Sequence, residues 1–284
     1  MTLRLAIKRA AVGAVLLSAG ALIASGGCDR GEDATAGGPA RKPAPPPAQT
    51  VSVPEPQPSP VSLNARLTTI FKLIGRRQTA EARKRLEAYL SDNTDDGRAE
   101  FLVGLSYHRE KSYARARPHF VRATEHSPGY HQTYHFLGWC LYYLGDARAA
   151  RDAFKEHLAF VPDEGDSHFG IGLIDLDEDR LDDAQVRFQK AIELQVNNQR
   201  RRRNVAKAHV RLADVYVRRN QLEDARDHLE TATSLWPQHY AAFYKLSRVR
   251  TRLGEAESAK EAFDLYRLWQ ERVAPKRGLP ERPP

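Results

Sequence analysis

The chain has 284 residues, 41% of them hydrophobic but only 8% aromatic, a balance that suits helices packed through small side chains better than one thick aromatic core. Its net charge is +8, and setting aside Arg4, Lys8 and Arg9 of the first 27 residues leaves +5. An excess of that size leans towards acidic partners or anionic surfaces and does not mark a binder of nucleic acid. The two cysteines, Cys28 and Cys140, belong to no CxxC or other ligand spacing, which argues against a thiolate metal site, and their very different settings along the chain argue against their pairing with each other.

Arg4, Lys8 and Arg9 precede a charge-free run from Ala10 to Gly27. That is the charged-then-apolar order of an export signal, and the run is shorter than the roughly 20 residues of a membrane-spanning helix. It ends Ala-Ser-Gly-Gly-Cys, where the chain resembles a bacterial lipoprotein signal: Ser25, Gly26, Gly27 and Cys28 carry the match, with Ser25 standing where an aliphatic residue is usual. The resemblance implies a lipidated Cys28 heading the mature chain, and a protein exported to the bacterial cell envelope and anchored by its acyl chains on the periplasmic side. Ordinary secretory cleavage and an uncleaved signal anchor are the alternatives. From residue 29 to 62 the composition turns to Gly, Ala and Pro, with nine of the 17 prolines between Pro39 and Pro60. Proline removes amide donors and extends its predecessor, so this stretch is expected to be a disordered, semi-rigid tether reaching on the order of 100 Å when extended.

Beyond the tether the chain is periodic. Ala82, Ala116, Ala150 and Ala184 are 34 residues apart, a step of 41 leads to Ala225, and 34 more to Ala259. A large apolar residue follows each by four positions: Leu86, Phe120, Phe154, Phe188, Leu229 and Phe263. Twelve positions before each stand Ile70, Gly104, Gly138, Gly172, Ala213 and Ser247, small in five of six cases. Two antiparallel helices approach closely only where neither carries bulk, so a small residue faces an alanine and the following Phe or Leu fills the wedge between successive hairpins. Each hairpin leaves one face bare that only a neighbour can bury.

Val103, Gly104, Tyr107, Ala116, Phe120, Ala123 and Pro128, and again Tyr134, Leu137, Gly138, Ala150, Phe154 and Pro162, make this part of the chain resemble the tetratricopeptide repeat family. The resemblance implies an all-α, right-handed superhelical solenoid of about six antiparallel helix-turn-helix repeats over residues 63–96, 97–130, 131–164, 165–198, 206–239 and 240–273. An Arg-rich insertion fills 199–205 and a disordered tail follows from 274 to 284. The seven extra residues nearly match two helical turns, so they are expected to lengthen a hairpin and to spread Arg200, Arg201, Arg202 and Arg203 around a protruding helix. Asp175 and Arg250 depart from the pattern, standing where tyrosine is usual. The last helix carries Glu257, Lys260, Glu261, Asp264, Arg267 and Glu271 on one face and is expected to act as its own solvated cap.

Candidate chemistry is sparse. His131 and His135 lie one helical turn apart but lack the Glu and the third ligand of a zinc-protease helix, which leaves them as surface or groove histidines. Asp175, Asp177 and Asp179 imitate the opening of a calcium loop, yet Arg180 and Val186 occupy the places of its Gly and Glu, so they read as the acidic start of a hairpin turn. Cys140 reads as an inert packing residue. No phosphate-binding glycine loop or nucleophile elbow is present, and neither a catalytic role nor a cofactor or metal is expected.

In the family the first helix of each hairpin lines a concave groove. Carried onto this chain, its groove positions are Arg98, Phe101, Leu105, His108 and Arg109; then Gln132, His135, Trp139, Tyr142 and Tyr143; Asp166, Phe169, Leu173 and Asp177; Lys207, Asp214 and Arg218; and Tyr244, Arg248 and Arg252. The middle of this set is aromatic and its C-terminal end basic. It does not reproduce the Lys and Asn pattern with which chaperone-binding members clamp a terminal carboxylate. The expected contacts are Phe101, Trp139, Tyr142, Tyr143 and Phe169 with His135 tuning them, and Arg218, Arg248 and Arg252 at the basic end; Trp139 and Tyr142 could instead be wedge-packing residues. Together these readings describe a non-catalytic, membrane-tethered scaffold holding a protein or peptide segment, as related lipoproteins assist pilus secretins, outer-membrane insertion or peptidoglycan enzymes. The rival reading is an adaptor for an anionic polymer or lipid surface led by Arg200 to Arg203.

Overall fold

The computed structural model describes residues 64–273; the leader, Cys28, the tether and the tail lie outside the described residues. Those described form twelve α-helices and one 3-10 turn, without a strand among them. They pair as α1 (Ala65–Gly75) with α2 (Thr79–Leu90), α3 (Gly97–Arg109) with α4 (Tyr113–His126), and α5 (Gln132–Tyr143) with α6 (Ala147–Phe160). α7 (Gly165–Asp177) follows with α8 (Leu181–Gln195), then α9 (Arg202–Arg218) with α10 (Leu222–Leu235), and α11 (Tyr240–Arg252) with α12 (Ala256–Val273). Each helix packs on its neighbours in sequence, and first helices also touch the next first helix, as α3 does α5, α5 does α7 and α7 does α9. That is a stack of six hairpins.

Every hairpin turns the same way. The residue two places after each first helix adopts the left-handed conformation: Arg77, Lys111, Asp179 and Asn220 at φ 57–63°, Gly145 at 83° and Gly254 at 80°. The following amide reaches back to the third-last helical carbonyl region in all six, for example Gln78 N–H to Leu73 C=O at 3.0 Å and Arg180 N–H to Asp175 C=O at 2.8 Å. The left-handed residue itself bonds back too, as Lys111 N–H does to His108 C=O at 2.9 Å. This is a Schellman closure, and it satisfies carbonyls that the end of a helix would otherwise leave bare.

Between hairpins the aromatic wedge does the packing. A Cβ added to Gly138 of α5 would lie 2.7 Å from the Phe154 ring, and one added to Gly170 of α7 would lie 2.6 Å from the same ring. The ring of Phe154 is thus clamped between two bare backbones, one in its own hairpin and one in the next. Phe120 against Gly104 and Phe188 against Gly172 repeat the contact, at 2.7 and 2.8 Å from the missing Cβ. Phe120, Phe154, Phe188 and Leu229 are fully buried, as are the alanines at the repeat positions from Ala82 to Ala225.

Charge pairs replace tyrosine where the pattern is broken. Asp175 is buried and takes the Arg151 guanidinium of the preceding hairpin at 2.6 Å and Arg180 at 2.5 Å. Arg250 reaches Glu230 of the preceding hairpin at 2.8 Å and Glu255 of its own at 3.7 Å. Both bridge the seam that Tyr107 fills by stacking on His119 and receiving Arg83 over its ring. The Asp residues at 175, 177 and 179 point to different partners, so they form no common loop: Tyr142 donates to Asp177 and Arg218 to Asp179.

The insertion lengthens the fifth hairpin by two turns of different kind: Gln199–Arg201 is a 3-10 turn, and it runs into α9, whose 17 residues against 13 in α3, α7 and α11 add about one α-helical turn. Three of its arginines spread to separate partners. Arg201 pairs with Asp166 and Glu164, Arg202 donates to the Ser234 carbonyl and Arg203 lies 5.7 Å over the Trp236 ring. The last helix keeps Glu257, Lys260, Glu261, Asp264, Arg267 and Glu271 exposed, as a solvated cap requires, and it also leaves Phe263, whose counterparts are buried, 41% exposed.

These contacts predict opposite outcomes for two backbone changes. Gly170→Val pushes side-chain carbons into a ring that has no room and should destabilise by about 2–3 kcal/mol, overpacking outweighing the gain of helix propensity. Arg77→Gly relieves a left-handed conformation and should stabilise by about 0.5–1 kcal/mol. Thermal and urea melts check both, and a Gly170→Val protein as stable as wild type would contradict the wedge.

Candidate functional site

The first helices line one concavity of about 990 Å³, with α3, α5, α7, α9 and α11 all contributing and Ala191 and Gln195 of α8 at its edge. Its apolar centre is built on α5. Trp139 is half-buried and meets Phe154 at 5.3 Å, Phe169 at 6.3 Å and Tyr143 at 6.0 Å between ring centroids. Tyr143 is 53% exposed and stacks on Tyr113, 4.5 Å away and 17° from parallel. Tyr142 donates to Asp177 at 3.1 Å, and burial, helped by that carboxylate, pushes its hydroxyl up to about 12. So Trp139 and Tyr142 serve on both sides of the choice left open by sequence: each packs a wedge and each lines the cavity.

Histidines stay neutral beneath this surface. His135 and His157 each place Nδ1 2.9 Å from the Ser167 hydroxyl, which ties α5 and α6 to α7. Burial, then His157, His108 and Arg201, lowers His135 to about 3. Burial, followed by His131, lowers His157 to about 4, and burial with Arg109 lowers His108 to about 4. Among the described residues no group of three or more His, Cys, Asp or Glu is placed to hold a metal ion. Cys140 is buried and donates its S–H to the Tyr113 carbonyl at 3.0 Å, and burial raises its thiol to about 11, which suppresses the reactive thiolate.

The polar lining is net basic. Asp166, its acidic member, is saturated: Arg201, Gln195 and Asn204 all donate to its carboxylate. Arg211 and Lys245 share Asp214, two cations on one carboxylate. Arg109, Lys111 and Lys207 are exposed lining cations with no ion pair among the described residues. An aromatic floor rimmed by such cations can take an extended segment that offers an apolar anchor and acidic neighbours.

The structure rearranges the sequence-based set. Trp139, Tyr142, Tyr143, Phe169 and His135 converge as expected. Phe101 does not: at 2% exposure it lies in the core, covered by Tyr130 at 5.0 Å and Phe136 at 5.6 Å. Arg218, Arg248 and Arg252 do not line the cavity. Arg218 caps α7 by donating to the Leu176 carbonyl at 2.6 Å, and Arg252 donates to Asn220 at 2.7 Å, while Arg248 is exposed away from the lining. The basic rim comes instead from Lys111, Arg211 and Lys245, with Tyr113 extending the floor. Tyr113 opens a second helix, which a search confined to first helices passes over; its place beside Tyr143 comes from neighbouring units meeting in space.

Tetratricopeptide repeat models match residues 165–238 and, separately, 73–131 and 210–272. The BBSome complex member BBS4 homolog of Drosophila melanogaster is 24% identical over 198 residues, 66% of this chain, and the chain spans about two fifths (39%) of that relative's length. Among solved structures, PilW, a widely conserved type IV pilus biogenesis factor, superposes with a TM-score of 0.62 at 17% identity, covering 75% of this chain and 93% of PilW. YrrB, described as a repeat protein with an unusual peptide-binding site, gives a TM-score of 0.50 at 19% identity over 66% of this chain and 92% of its own. At these identities the two structures attest the fold alone.

The histidines make stability depend on pH. Their folded values lie below the ordinary 6.5, so the native chain binds fewer protons than the unfolded one; their contribution is complete above pH 6.5 and erodes as pH falls towards 4. The melting temperature should drop between about pH 7 and pH 5, and His157→Gln should flatten that slope. Equal slopes in wild type and variant would contradict the assignment.

Proposed function

This chain belongs to the tetratricopeptide repeat family, and from that premise we propose that it is a non-catalytic scaffold, tethered to a bacterial membrane through Cys28, that holds an extended protein segment in the α3–α11 concavity. The observation that carries the reading is the stacked, half-open aromatic set of Tyr113, Trp139, Tyr143 and Phe169 between cationic walls. Aromatic anchors in a concave surface carry most of an interface's energy, and the surrounding charges steer approach. The peptide-binding site named for YrrB and the pilus-assembly role named for PilW agree in kind with a scaffold of this sort. An adaptor for anionic polymers or lipid surfaces draws less support, since Arg201, Arg202 and Arg203 are occupied by Asp166, the Ser234 carbonyl and Trp236.

Two experiments test the two halves of this reading. Tyr143→Ala should weaken partner capture by at least about 2 kcal/mol, roughly thirty-fold, in a protein with unchanged circular dichroism, whereas Arg248→Ala should leave it intact and Lys207→Ala should slow association and blunt the salt response. Loss of capture with Arg248→Ala but not Tyr143→Ala would transfer the function to the basic surface. For the tether, labelled fatty acid should enter wild type and not Cys28→Ala; equal labelling of both would contradict lipidation, and an unlabelled soluble wild type would favour ordinary secretion.

A further inference from the structure

α12 carries an apolar strip that the solenoid does not use. Leu265 and Leu268 are 40% and 39% exposed. Counted from the repeat alanine, the same two positions hold Thr231 and Ser234, Lys190 and Glu193, Glu156 and Ala159, Arg122 and Glu125, and Ala88 and Ser91 in the other hairpins. At these two positions the other five hairpins place nothing more apolar than alanine, and the sixth places two leucines. Neither lines the concavity described above. The neighbours on the strip are Glu261 and Arg272, so acid, leucine, leucine and base follow at steps of four, three and four residues. Those steps keep the four side chains on one seam of a helix, within an arc of about 60°. Ala259 and Ala262, the two residues of α12 that are buried, lie on another face. Glu261 has no ion pair among the described residues, and the Arg272 guanidinium rests 5.7 Å over the Trp269 ring, on the exposed side of the helix.

We propose that this strip pairs with the same strip of a second copy of the chain, the two α12 helices running antiparallel about a two-fold axis midway between Leu265 and Leu268. A two-fold interface requires a surface that is complementary to itself, residue i meeting j while j meets i. The seam meets that requirement. Leu265 and Leu268 are equidistant from the axis, so each leucine faces its counterpart of the other kind. Glu261 and Arg272 are also equidistant from it, so each acid faces the base of the second copy, and both pairs occur twice. A parallel arrangement would set Glu261 against Glu261 and Arg272 against Arg272, and like charges across a seam repel. An unrelated partner would need an apolar strip but would not require acid and base to be balanced about its midpoint. That balance selects a second copy over other occupants.

The test uses full-length chains carrying two different affinity tags, co-expressed and captured through one tag. Wild-type copies should co-purify. Glu261→Arg in both copies, or Arg272→Glu in both, sets like charges against each other and should reduce co-capture at least about tenfold. One copy carrying Glu261→Arg with the other carrying Arg272→Glu restores opposite charges at both contacts and should recover it, as should the double exchange within each copy. Leu268→Glu should abolish co-capture, while circular dichroism stays that of wild type because the position is exposed. No co-capture of wild type would overturn the proposal. So would co-capture that survives Leu268→Glu or the single charge reversals, or a mixed pair that fails to recover.

Discussion

One contact sets the dimensions of the middle of the solenoid: an aromatic ring held between helix backbones that carry no side chain. Phe154 meets Gly138 in its own hairpin and Gly170 in the next, and both clearances are shorter than a Cβ permits. A ring clamped on two sides fixes the separation of neighbouring hairpins and their relative tilt. Close packing then propagates that tilt from hairpin to hairpin, because interiors deform little. The concavity follows from this geometry, since the first helices line it while the second helices leave it almost entirely to them.

The seams between hairpins have a second layer with more latitude. Tyr107 fills one by stacking, whereas Asp175 and Arg250 close theirs with ion pairs to Arg151 and Glu230. A buried carboxylate is tolerable at Asp175 because two guanidinium groups meet it. Such substitutions leave the wedge intact, so repeat positions near the rim can change character without changing the fold. The same freedom reaches the functional surface. His135, where a neighbouring hairpin has Phe169, holds Ser167 and joins three helices beneath the aromatic floor.

How much of this was legible in the sequence depends on how local the cause is. The wedge needs glycine or alanine at one spacing and Phe or Leu at another, so the period and the number of hairpins could be read directly. The Schellman turns were less legible, because Arg77, Lys111, Asp179 and Asn220 take a conformation that composition assigns to glycine. The site was legible only in its centre. Phe101 occupies the same repeat position as His135 and Phe169, but Tyr130 at the end of its own repeat and Phe136 of the next cover it, which the position alone does not announce. Arg218 and Arg252 look like groove cations by position, yet carbonyl and amide acceptors on the adjoining hairpin claim them. The insertion was legible in length but not in kind: seven residues match two turns, and Asn198, which accepts from the Arg200 amide, makes the first a 3-10 turn while α9 gains about one.

A rigid concave surface, a floor of stacked aromatics and a cationic rim combine preorganisation with steering, the two properties that let a small interface select an extended segment. The most direct test places a photoreactive residue at single positions of the full chain in cells, at Tyr143 and Lys207 inside the concavity and at Glu156 and Glu193 on the outer surface of α6 and α8. The account predicts a partner adduct from the two inner positions, in the same protein, and none from the two outer ones. An adduct formed from Glu156 or Glu193 and not from Tyr143 would contradict it.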